Sequence, residues 1–162
     1  MTDPERSTWI NPSSPGIAPG LFSMEGEHAV TESKNNHEKV WGREIWLTNN
    51  ELYCAKRLEL KGGYRCSMHH HALKDETFIV ESGIIILEFQ TPGDRMKSIH
   101  VARGDSVRII PGTPHRFWGL GDAVILEVST HHDEDDSCRE PGEDSGTFTP
   151  EQLERCIIEG RL

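Results

Sequence analysis

The sequence predicts an all-β fold, a sandwich or barrel of many short strands. Three observations carry that reading. Short apolar runs recur from Val40 to Ser129 at near-regular intervals, the pattern of small antiparallel sheets. Turn-forming residues punctuate them at Gly63, Gly83, Thr91-Pro-Gly-Asp, Gly104 and Pro111-Gly112. Side chains also alternate: Cys54, Lys56, Leu58 and Leu60 fall on one face, opposite Tyr53, Ala55, Arg57 and Glu59.

Residues 1–37 are rich in Pro, Ser, Gly and Asn and read as a flexible N-terminal arm. Residues 38–130 form the expected β-barrel. Val40-Trp-Gly-Arg-Glu-Ile-Trp-Leu is its first strand, Asn49-Asn50 a turn, and Tyr53 to Leu60 its second strand. The face bearing Leu58 and Leu60 points inward, which takes Lys56 inward as well. Then follow a histidine-bearing strand, Thr77-Phe-Ile-Val, Ile84-Ile-Ile-Leu-Glu-Phe, Met96 to Val101, Gly104 to Ile110 and Ala123 to Ser129. Residues 131–162 read as an acidic C-terminal tail. Within it, Thr149-Pro150-Glu151-Gln152 is a capping-box start to a short helix carrying Leu153, Ile157 and Ile158.

The stretch Gly63–Gly83 concentrates the chemistry. His69 and His71 project from one strand face, because successive side chains alternate, and Glu76 follows. His115, in Pro111-Gly-Thr-Pro-His, supplies a fourth group from far along the chain. Convergence of His69, His71, Glu76 and His115 on one divalent ion is the central expectation. Three neutral imidazoles and a carboxylate suit manganese, iron, cobalt, nickel or zinc. His70 falls on the opposite face, and Lys74 and Asp75 read as solvated loop charges. Trp41, Trp46 and Phe117 read as core or dimer aromatics.

The net charge of −10 is unevenly spread. Residues 38–130 hold 12 Lys+Arg and 12 Asp+Glu, whereas residues 131–162 hold 3 against 10. A neutral core with acidic flanks argues against nucleic-acid binding. No run approaches the ~18 apolar residues of a membrane span, and no signal-peptide pattern opens the chain, so a cytoplasmic location is expected. Cys54, Cys66, Cys138 and Cys156 show no CxxC spacing and fit unpaired thiols in a reducing compartment.

The paired motifs resemble those of the cupin superfamily. G-x5-H-x-H-x4-E-x6-G runs from Gly63 to Gly83, and the second motif from Gly104 to His115, with Ile110 where proline is usual. The resemblance covers roughly residues 52–129 and implies a small double-stranded β-helix barrel. Val40-Trp41-Gly42-Arg-Glu, Lys56-Arg-Leu, Ser67-Met-His-His-His, His115-Arg116 and Glu127-Val-Ser further resemble stand-alone sugar-isomerase cupins. Those include D-lyxose isomerases and the C-terminal cupin of type II mannose-6-phosphate isomerases. The narrower resemblance implies a metal-dependent aldose–ketose interconversion of a sugar or sugar phosphate, with manganese as the first expectation and a homodimer as the assembly. Lys56 and Glu127 are the candidate proton carriers, as charged groups on strands lining the barrel. Glu127 could instead bridge to Lys56 or Arg116. Arg116 is the candidate contact for the substrate or its phosphate, where a guanidinium fork suits an anion. Two other classes compete: an Fe(II) dioxygenase, and a non-catalytic sugar- or metal-binding cupin.

Overall fold

The computed structural model describes residues 35–149, except 91, 92 and 94, together with 151, 152 and 154. Strands β1 (Asn35–Lys39), β2 (Gly42–Asn49), β3 (Cys54–Leu60), β11 (Ala123–Ser129), β6 (Glu76–Ser82) and β9 (Ser106–Ile109) pair antiparallel in that order into one sheet. The second sheet runs β12 (Ser137–Arg139), β5 (His69–His71), β10 (His115–Gly119), β4 (Tyr64–Arg65) and β13 (Gly146–Thr147). Strands β7 (Ile84–Phe89) and β8 (Lys97–Ala102) extend from β10. The two sheets form one antiparallel β-barrel, with Leu58, Phe78, Val80 and Ile125 from the first and Ile85, Leu87, Val101 and Phe117 from the second packed into one core. No helix among the described residues is long and apolar enough to cross a membrane.

The alternation read from the sequence is the alternation observed. In β3, Cys54, Lys56, Leu58 and Leu60 are all buried. Register then aligns three neighbouring strands into rows. Leu58 pairs with Ile125, which pairs with Val80; one row on, Lys56 pairs with Glu127, which pairs with Phe78. A third row is Cys54, Ser129 and Glu76. Each strand's apolar stripe therefore ends in polar groups, and those ends lie together.

Residues 131–147 correct a sequence expectation. Strand β12 pairs with β5 and β13 with β4, so part of the expected acidic tail is built into the second sheet. Edge pairing uses backbone groups and requires no apolar side chains, which is why composition hid it. Strand β1 similarly begins within the span expected as the arm. The capping box is present: Thr149 N–H donates to Gln152 Oε1 and Gln152 N–H to Thr149 Oγ1. The apolar residues of that helix, and Cys156, lie outside the described residues.

Candidate metal centre

Strands β5 and β10 bring the histidines together. His69 and His115 are direct cross-strand partners, and their ring centroids are 4.5 Å apart. His71 joins from the same face of β5, two residues on. One ring nitrogen from each of His69, His71 and His115 lies within 4.8 Å of the others. Every other ring nitrogen is already committed. His69 Nδ1 donates to Ser67 O at 2.9 Å, His71 Nδ1 to Asp136 O at 3.1 Å and His115 Nδ1 to Thr113 O at 2.8 Å. A carbonyl only accepts, so each Nδ1 carries the proton and each Nε2 is left to the cluster.

Glu76, at the start of β6, completes the group. Its Oε1 stands 2.7 Å from His115 Nε2 and 4.0 Å from His71 Nε2. Glu76 Oε1 and His115 Nε2 are both buried, yet neither makes a hydrogen bond. Two buried acceptor atoms brought this close would be costly with nothing between them. A cation resolves that conflict, and donor atoms ~2.0–2.2 Å from one ion stand about 3–4 Å from each other. The four residues fit the expected ion. Burial, reinforced by His115, lowers His69 to about 3; burial and then Lys74 lower His71 to about 4. Both rings are thus neutral, the form that ligates.

Lys74 departs most from its sequence reading. It is not a solvated loop charge but 4% exposed, with Nζ 2.6 Å from Glu76 Oε2 and 2.9 Å from Glu127 Oε1. Burial opposes its charge, but the two carboxylates prevail and raise its pKa. Glu127 therefore bridges to Lys74, not to Lys56 or Arg116. The loop turns Lys74 inward because Asp136 fastens it: the Asp136 carboxylate accepts the backbone N–H groups of Ala72, Leu73 and Lys74. Asp136 ends the 3-10 turn Glu134–Asp136, capped by Asp133.

A cavity of about 710 Å³ opens beside the cluster, lined by His69, His71, Glu76, Glu127, Lys56 and Trp46 among others. Lys56 Nζ lies over the Trp46 ring at 4.5 Å. Trp46 thus belongs to the cavity wall, whereas Trp41 packs edge-on against Phe117, centroids 4.9 Å apart, at its base. His132 also faces the cavity, edge-on to Trp46. Its place in an acidic run concealed it, and a loop position concealed Lys74; a lysine two residues before Glu76 was the available signal.

Arg116 is not brought to this cluster. It follows His115 in β10, so it points to the opposite face, where its guanidinium bonds Glu88 and Glu143 and lies over Trp118. His70 likewise faces away and meets Glu140 at 3.3 Å. Cys54 and Cys66 are buried free thiols and Cys138 an exposed one; burial pushes Cys66 up to about 12.

Comparison with known proteins agrees with this architecture. Residues 56–129 match the model of the Cupin domain family. No curated protein sequence matches. Solved structures of Bacillus subtilis oxalate decarboxylase share the fold. One variant superposes with a TM-score of 0.60 at 19% identity, over 65% of this chain and 30% of that one. The enzyme at pH 4.6 gives 0.59 at 18% identity, over 65% and 29%. A further structure of it, described with Mn(II) centres, gives 0.59 at 20% identity, over 65% and 30%. The chain thus spans about 30% of the length of these neighbours.

Proposed function

We propose that this protein is a metal-dependent isomerase interconverting an open-chain aldose and ketose. Supporting this reading is the row that sets Lys56 and Glu127 side by side on β3 and β11, in the cavity that the histidine cluster also lines. His69, His71, His115 and Glu76 would hold one divalent ion, with manganese favoured. That ion supplies Lewis-acid polarisation of a substrate carbonyl when bound.

The protein's own groups do the rest. Glu127 removes the proton from the carbon next to the carbonyl and returns it to the former carbonyl carbon. One of its oxygens is tied to Lys74, which fixes the carboxylate and leaves the other for the substrate. Lys56 offers its ammonium to the substrate oxygens between which the hydroxyl proton moves. Trp41, Phe78 and Phe117 form the apolar part of the wall, limiting water around the reacting carbons. Because Arg116 faces away, a phosphate would have to be held elsewhere, and unphosphorylated substrates fit the reading better.

The test is proton NMR of the manganese-loaded protein in D2O with D-lyxose, other pentoses, mannose-6-phosphate and the sugar acid D-glucuronate. Ketose formation with deuterium at C1 or C2, abolished by Glu127→Gln, is expected. No product and no deuterium across the panel overturns the reading. Oxygen uptake with iron and a substrate from the panel would replace it with a dioxygenase.

A further inference from the structure

Among the described residues Lys56 makes no hydrogen bond. It is 3% exposed, on the inner face of β3, and lines the cavity. Among the described residues its carboxylate neighbour is Glu44, whose Oε2 stands 3.8 Å away, beyond hydrogen-bonding range. Both Glu44 oxygens are engaged elsewhere, Oε2 by Trp46 Nε1 at 3.0 Å and Oε1 by Lys39 at 3.4 Å. The Trp46 ring covers one side of the ammonium and offers no lone pair. A buried ammonium with unused N–H groups is costly unless a ligand satisfies it.

The charge of the inner wall says what kind of ligand. Glu44 pairs with Lys39, which leaves Lys56 and Lys74 against Glu76 and Glu127, in balance. A divalent ion at the histidine cluster makes that balance positive, which favours an anionic ligand. A phosphate monoester, at about −1.5 to −2, would find its guanidinium fork only in Arg139 at the exposed rim among the described residues, since Arg116 is turned away. The rim charges Glu38, Lys39, Glu134, Arg139 and Asp144 are of mixed sign and closer to solvent, where they are screened. His132 adds a neutral polar group, because burial and then Lys56 lower it to about 3, and its Nδ1 is buried without a partner.

We propose that the cavity takes a substrate with one carboxylate, held by Lys56 against Trp46, and vicinal oxygens directed at the histidine cluster. The anion site stands on the cavity itself; that its occupant is a sugar acid, and neither a neutral sugar nor a sugar phosphate, rests on the isomerase reading.

Calorimetry of the manganese-loaded protein with D-arabinonate and D-arabinitol tests this, because the two differ only at the terminal carboxylate. Arabinonate should bind about tenfold or more tightly than arabinitol, the scale of one charge-assisted contact. Lys56→Met should erase that margin, weakening arabinonate far more than arabinitol, which separates Lys56 from any preference of the metal for carboxylates. Lys56→Gln, with the same expected loss, serves if the methionine variant does not fold. Equal affinities in the wild type, no arabinonate binding, or a margin surviving in both variants overturns the proposal. Deuterium exchange into a neutral pentose without arabinonate binding overturns the anion site alone. Lysine-dependent arabinonate binding with no exchange into any sugar or sugar acid supports the site and overturns the isomerase.

Discussion

Lys74 joins two buried carboxylates that would otherwise repel each other across the floor of the cavity. Removing its charge leaves Glu76 and Glu127 buried and unpaired. Lys74→Met should therefore cost the metal-free protein about 3–5 kcal/mol in urea unfolding, and less with metal present, because the ion would compensate Glu76. A loss below about 1 kcal/mol in the metal-free protein would show that the bridge matters little. The contrast with the clustered histidines and Glu76 explains what the sequence discloses. His69, His71, Glu76 and His115 were legible because alternation and spacing fix which face each takes. Lys74 was not, because a loop residue has no periodicity and its direction is set by Asp136, far along the chain.

At the scale of elements, the loop between β5 and β6 depends on the segment that crosses it. Asp136 satisfies three loop N–H groups with its carboxylate and orients His71 with its carbonyl. Asp136→Ala keeps that carbonyl but unties the loop from the segment that carries it, and should weaken manganese binding on the order of 10-fold by calorimetry, with little change in far-UV dichroism. Turns make a second comparison. Gly63 and Gly83 both have positive φ, 81° and 79°. A Cβ at Gly63 would meet open space, but one at Gly83 would stand 2.5 Å from Asp122 O. Gly63→Ala should cost about 1 kcal/mol from backbone strain alone, and Gly83→Ala clearly more, in paired thermal melts. Both glycines were visible as turn residues; the close approach at Gly83 was not, since it depends on β11 lying alongside.

For the whole molecule, acid is the condition to watch. Burial holds His69, His71 and His132 at about 3, 4 and 3, below their ordinary 6.5. Between pH 6.5 and about 4 the unfolded chain therefore binds protons that the folded protein refuses. Stability from these rings is full above pH 6.5 and declines as pH falls through that window. The melting temperature of the metal-free protein should fall accordingly, and His132→Asn should flatten the slope; a flat profile in the wild type would contradict the burial of these rings. The barrel itself was legible from punctuation and alternation, because inward side chains must be apolar wherever strands close on a core. Strands β4, β12 and β13 were not, being two or three residues long and held through the backbone.

The crossing segment has a consequence for where this protein can be cut. The matched domain ends at residue 129, and every proposed ligand lies before it. His71 nevertheless owes its orientation to Asp136, seven residues beyond. A ribosome releasing the chain at Ser129 would deliver a barrel with all its coordinating side chains and one of them unaimed. If the cluster holds an ion as proposed, its capture would be a late event in synthesis, waiting on a stretch of acidic residues that carries no proposed ligand of its own.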